Sequence, residues 1–197
     1  TDSVEILLHT ATSTGSDLTV AHFYRVAGER CAARGHIREE CVMTRTEYAE
    51  HMVKAPANFY YGVMWNKLYR RAIVEAHSLR CPADVAWCED FLFNLDYIAC
   101  CRLIAAVPRS VYYYRKREDS LVNTQTTLRK VIRTKTLTFS EYKEFYQQLD
   151  LYENRKLQVY RYLFSAAADG SVGPLARPLS LPPREKPAAR RREKKQD

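Results

Sequence analysis

A chain of 197 residues, 46% hydrophobic and 27% charged, can enclose a real core and is too apolar to be a disordered polymer. No apolar run approaches the length of a bilayer span, so the sequence reads as globular. The net charge of +8 is unevenly placed: "REKPAARRREKK", Arg184 to Lys195, holds most of the excess. Such a tail is ordinarily solvated, and it can also be drawn weakly to an anionic membrane surface or to nucleic acid.

In chain order, Val4, Leu7, Leu8 and Ala11 share one helix face. This predicts a helix to Thr14, capped from Thr1, Asp2 or Ser3 and ended by Gly15. Leu18 to Val26 alternates as a strand. "GERCAARG" reads as turns and "HIREECVMT" as a returning strand. Thr44 with Glu47 three residues on forms a capping box for a helix to Lys54. "GVMWNKLYRRAIVEAH" predicts a strand and then a short helical turn.

After Pro82, the segment from Asp90 to Cys101 is apolar nearly all round, which predicts a buried helix. "RLIAAVP" and "SVYYYRKR" read as two short strands. From Thr127 to about Ala168 the pattern is helical, two helices meeting near Asp150. The first shows a face of Phe139, Tyr142, Phe145, Tyr146 and Leu149, the second one of Leu151, Leu157, Tyr160, Leu163 and Phe164. "DGSVGPLARPLSLPP" then ends regular structure. The expected class is α/β: a small mixed sheet with packed helices and a C-terminal helical pair.

Several chemistries find no support. The six cysteines (Cys31, Cys41, Cys81, Cys88, Cys100, Cys101) show no CxxC or zinc spacing, and a reducing compartment is the simple expectation. With six glycines there is no Gly-rich phosphate loop, no GxSxG is present, and the histidines show no HExxH spacing.

Three stretches remain as candidate sites. In "WCEDFLFNLDYI", Glu89 and Asp90 enter an apolar segment. Either they cap a helix, or one is a general base beside a cavity. The helix dipole favours a carboxylate in both roles. Trp87 can wall such a cavity and stack on a sugar ring. In "MWNKLYRR", Asn66 and Lys67 offer hydrogen bonds and charge to a ligand, or are the solvent-facing polar residues of a strand. In "YYYRKREDSLVNT", Arg115 and Arg117 with Ser120 can bind phosphate, or blunt a sheet edge. Basic residues among aromatics also suit single-stranded nucleic acid.

The ordered set "WNKLYRRAIV", "CEDFLFNLDYI" and "VPRSVYYYRKREDSLV", preceded by "TGSDLTVAHFYRVAG", resembles the second half of family-2 glycosyltransferases, the bacterial enzymes of capsule, exopolysaccharide and lipopolysaccharide synthesis. The resemblance runs from about Val4 to Val122. It implies a partial GT-A fold in which residues 1–126 are the acceptor-side part, 127–168 a C-terminal helical extension and 169–197 a disordered basic tail. It also implies inverting transfer from a nucleotide-sugar donor to a hydroxyl of a polysaccharide or lipid-linked glycan acceptor.

By that resemblance Asp90 matches the catalytic base and Glu89 its acidic neighbour. Asn66 and Lys67 match the motif near the sugar and acceptor, and Arg115 and Ser120 the basic loop near the diphosphate or acceptor; Trp65 and Trp87 are further candidates for substrate binding. The family's opening strand, nucleotide-base pocket and DxD motif are not matched here. The divalent metal of the complete enzyme, Mg or Mn, therefore finds no DxD ligands in this chain. The expectations are a fragment inactive alone, with apolar faces left exposed. It would be cytoplasmic, with weak membrane contact through the tail. The alternative is a non-catalytic, tyrosine-rich basic module for an anionic partner such as nucleic acid.

Overall fold

Helix α1, Ser3–Thr14, starts after Asp2 and stops at Gly15, whose φ of 63° is left-handed. Glycine takes that conformation without a Cβ penalty. Asp2 sits at the cap position but its side chain makes no capping bond. Ser3 instead donates to the Val111 carbonyl at 2.5 Å, fastening the helix to the sheet. The computed structural model describes residues 2–55, 58–83, 85, 88–115 and 128–164. Trp87, Ser120, Arg117 and the basic tail lie outside the described residues, and with them the test of the basic-module alternative.

Strand β1, Leu18–Ala27, is the spine of a mixed sheet. It pairs antiparallel with β2, Arg30–Arg34, across a two-residue turn in which Gly28 has φ 58°. A tight hairpin needs a positive φ there. Residues read as turns in "GERCAARG" are thus a strand, although every one of them is exposed. An edge strand with one covered side carries no burial pattern to read. The returning strand β3 is only Cys41–Thr44, shorter than expected.

Thr44 then caps α2, Arg45–Lys54, with its hydroxyl oxygen accepting from the Glu47 N–H and the Glu47 carboxylate accepting from the Thr44 N–H. This is the capping box in full. A single helical turn α3, Phe59–Gly62, leads to β4, Lys67–Tyr69, which pairs antiparallel with the start of β1. Helix α4, Arg71–Ala76, and α5, Glu89–Cys100, follow. Met64 to Asn66, expected in a strand, form the turn before β4.

The two strands expected after α5 are one, β5, Leu103–Arg115. It runs parallel to β1 throughout, and β3 pairs antiparallel with its first half. The order is β2-β1-β5-β3, with β4 beside β1. Pro108 does not end the strand. The register with β1 shifts between Ala21 and Tyr24, and β5 bulges there, the setting in which a strand tolerates a residue without an N–H.

Most helices cover one sheet face. Leu18, Val20, Phe23, Ile104 and Ala106 pack against Tyr48 and Met52 of α2, Tyr60 and Tyr61 of α3, and Tyr97 and Ile98 of α5. Helix α1 covers the other face through Leu7, Ala21 and Val107. The last two helices, α6 (Leu128–Gln148) and α7 (Tyr152–Phe164), join the main core. They turn through Asp150, φ 57°. The Tyr146 hydroxyl donates to Ala49 of α2 at 2.8 Å, and Arg155 pairs with Glu50 at 2.7 Å.

The face expected of α6 is the one it buries, but that of α7 is not. Tyr152, Val159 and Tyr162 are inside, while Leu157 is 82% and Phe164 88% exposed. Val4, Leu8, Ile132 and Leu137 are exposed as well.

Candidate functional site

The site begins with a short, heavily hydrogen-bonded turn. Asn58 caps α3 by accepting from the Tyr60 N–H at 2.8 Å. The chain then reverses through Val63–Asn66 into β4. Asn66 is 0% exposed, and its amide donates to the carbonyls of Ala21 at 2.9 Å and Tyr60 at 3.2 Å. Lys67 is 7% exposed. Its Nζ donates to Tyr60 O at 2.9 Å, Val63 O at 2.5 Å and Asn66 Oδ1 at 2.9 Å.

An ammonium has three N–H groups, and here each has an acceptor within the chain. Burial pushes the Lys67 ammonium pKa down to about 7, against the opposing pull of Asp90. Substrate contact through Asn66 or Lys67 requires this cluster to open.

Facing the turn is the start of α5. The helix is capped at Cys88, in the left-handed region at φ 71°, with no side-chain capping bond. Glu89 and Asp90 are its first two residues, so neither is the cap. Both stand where the dipole favours negative charge. Asp90 is half-buried, and its Oδ2 accepts from the Met64 N–H at 3.2 Å. Its carboxylate therefore fastens the neighbouring turn and leaves its own helix uncapped.

Asn94, one helical turn later, is 1% exposed. Its amide donates to Gly62 O at 2.9 Å and Asp90 O at 2.7 Å, and more weakly to Val63 O at 3.4 Å. The Tyr69 hydroxyl donates to Asn94 Oδ1 at 2.7 Å. Burial first, then Asp90, raises the Tyr69 phenol pKa well above its usual value. Sequence reasoning missed Asn94 and Tyr69. The available signal was an amide at i+4 from Asp90 within an otherwise apolar helix, since a buried amide must find partners.

Tyr97 locks α5 to the sheet. Its hydroxyl donates to Asp17 O at 2.7 Å and accepts from the Arg70 N–H at 2.8 Å.

Trp65 belongs to a different cluster. Its ring lies near-parallel to Tyr112 (4.3 Å between centroids) and Tyr114 (5.6 Å), and edge-on to Phe23 (4.9 Å). On the other sheet face Tyr113 stacks on Tyr24 at 4.7 Å. Side chains alternate along a strand, so Arg115, exposed at the end of β5, shares the face of Tyr113 and not that of Trp65. The structure thus joins Asp90, Asn66 and Lys67 through one turn and puts Trp65 at the end of that turn. Arg115 stands apart.

The resemblance to metal-dependent transferases can be checked against the donor groups. Among the described residues no group of three or more His, Cys, Asp or Glu side chains can hold a metal ion. Nor is any helix among the described residues long and apolar enough to cross a membrane.

Comparison with known proteins gives the following. No family model matches the chain. It is 32% identical over 115 residues to the putative glycosyltransferase EpsH of Bacillus subtilis (strain 168), covering 57% of this chain and 31% of that protein. It is 26% identical over 106 residues to the uncharacterized glycosyltransferase EpsJ of the same organism, covering 53% and 31%. The chain therefore spans about a third of the length of these curated relatives.

Among solved structures, S. aureus TarS residues 1–349 in complex with UDP-GlcNAc superimposes with a TM-score of 0.58 at 15% identity, over 82% of this chain and 44% of that one. TarS 1–349 alone gives 0.53 at 16%, over 81% and 44%. At such identities the likeness is one of fold, and it covers under half of the TarS chain.

Proposed function

We propose that this chain is the acceptor-side part of an inverting, GT-A type glycosyltransferase of family 2, with Asp90 as its catalytic base. The observation that carries the reading is the Asp90 carboxylate: half-buried, in the first turn of a helix, with Oδ2 held by the Met64 N–H. Among the described residues Oδ1 accepts no hydrogen bond. A base needs such a fixed, incompletely satisfied carboxylate. Similarity to two proteins named as glycosyltransferases supports the reaction class.

In the proposed step the acceptor hydroxyl oxygen forms a bond to the anomeric carbon of the donor sugar. The bond from that carbon to the nucleoside diphosphate breaks on the opposite side, and the hydroxyl proton passes to Asp90 Oδ1. The diphosphate leaves with the bonding electrons, and configuration inverts. TarS was crystallised with UDP-GlcNAc and with UDP, which supports a nucleotide-sugar donor here. The acceptor we infer is a cell-surface polysaccharide or lipid-linked glycan presented at the cytoplasmic side of the envelope membrane.

Mg or Mn on the donor diphosphate would be held by residues outside those described, and we expect no transfer from this chain alone. The test is sugar transfer by the complete enzyme carrying Asp90→Asn. The asparagine keeps an oxygen for Met64 but cannot take a proton. The expected result is a loss of about 10²–10⁴-fold in kcat with the fold unchanged. Full retention of transfer overturns the reading.

A further inference from the structure

One peptide group lies between a buried cation and the candidate base. The Val63 carbonyl accepts from Lys67 Nζ at 2.5 Å, and the N–H of the same peptide unit, that of Met64, donates to Asp90 Oδ2 at 3.2 Å. The amide dipole has its negative end on the ammonium and its positive end on the carboxylate. A hydrogen bond at one end of such a unit polarises it and strengthens the bond at the other.

We propose that Lys67 acts on Asp90 through the Val63–Met64 peptide, as the residue that positions the carboxylate and couples its charge to the proton on Nζ. The proposal rests on the reading of Asp90 as the base and gives Lys67 a role without substrate contact. Tyr60 O and Asn66 Oδ1 fix Nζ from the other side, and Asn94 fixes Gly62 at 2.9 Å, so the peptide has little freedom to turn.

Burial and neighbouring charge shift most of the phenols, thiols and amines around this pair, while on the far side of α3 His22 packs edge-on against Tyr60 and His36, lowered by burial, bonds Tyr61. From β4, Tyr69 is raised by burial and Asp90, and from α3, Tyr60 is raised by burial. Cys81 in the loop before α5 is raised by burial, Asp90 and Glu89, and Cys88 is pushed up to about 12. Lys135 of α6 faces Cys88 and is lowered by burial.

The experiment is nitrogen and proton NMR of the 197-residue chain, following Lys67 Nζ and the Met64 amide from about pH 5.5 to 8.5. The Met64 amide is expected to shift with the Lys67 midpoint, near 7. In Asp90→Asn that midpoint should fall by about half a pH unit, roughly threefold in the proton-binding constant, since Asp90 holds the proton on. In Lys67→Met the Met64 step should vanish and its hydrogen exchange quicken by about tenfold.

A Met64 amide that stays flat while Lys67 titrates overturns the proposal, and so does an unchanged Lys67 midpoint in Asp90→Asn. If Lys67→Met does not fold, the wild-type and Asp90→Asn arms decide. The base reading fails separately, if complete enzyme carrying Asp90→Asn still transfers sugar while these steps persist.

Discussion

Two regions of this molecule invert the usual partition of polar and apolar residues, and they do so for different reasons. Around the α3–β4 turn, Asn66, Lys67 and Asn94 are buried. At the end of β5, Tyr112 and Tyr113 stand 40% and 63% exposed. Every amide and ammonium hydrogen of the buried group has an acceptor nearby, so the cost of burial is met by hydrogen bonds. The rings there are held by stacking, Tyr113 on Tyr24 and Tyr112 on Trp65, which packs in turn against Phe23 and Phe59. The first region holds its shape from within, and the second is a surface. A catalytic carboxylate belongs with the first because geometry there is over-determined.

The comparison can be broken in several places. The largest effect expected is at Asp90, where the Asn variant of the complete enzyme should lose about 3–5 kcal/mol of transition-state stabilisation while its melting temperature stays near wild type. Next comes Asn94→Ala, which strips a donor from the Gly62 and Asp90 carbonyls and an acceptor from Tyr69. Urea denaturation should read a loss of about 2–4 kcal/mol. A loss below about 0.5 kcal/mol would mean the buried group is not the rigid region.

The pH dependence follows from the same cluster. Lys67 is lowered from 10.5 to about 7 by burial. Between those values the unfolded chain binds more protons than the folded one, so this residue makes stability rise with pH. The rise should be missing in Lys67→Met, as chemical denaturation at pH 7 and 9 will register.

A smaller effect is expected at Gly35, where an added Cβ would lie 2.0 Å from the His22 ring. That ring shares a 2.7 Å hydrogen bond with the Ile37 carbonyl. Gly35→Ala should cost about 1–3 kcal/mol by forcing the ring aside. Smallest is Tyr113→Ser. It removes one exposed stacked ring and should change thermal stability by less than about 1 kcal/mol. A larger loss would make the strand end part of the core.

Local chemistry is what the sequence determined. The Thr44–Glu47 box, the Gly15 stop, the break at Asp150 and the buried face of α6 are interactions within a few residues, and each stood where its residues implied. The α/β class and the two carboxylates at the start of α5 were legible for the same reason.

Tertiary structure decided the rest. Strand β2 exists only because β1 is there to pair with it, and β5 passes Pro108 only because the sheet bulges around it. Leu157 and Phe164 lie on the apolar face read for α7 yet point outward, since α6 meets α7 along Tyr162 and through Tyr160 on Phe139 instead. Asn66 and Lys67 read as surface or ligand-facing residues until the carbonyls of Ala21, Tyr60 and Val63 are brought around them. Which polar groups are buried depends on backbone acceptors supplied by distant segments, and pattern along the chain carries no record of those.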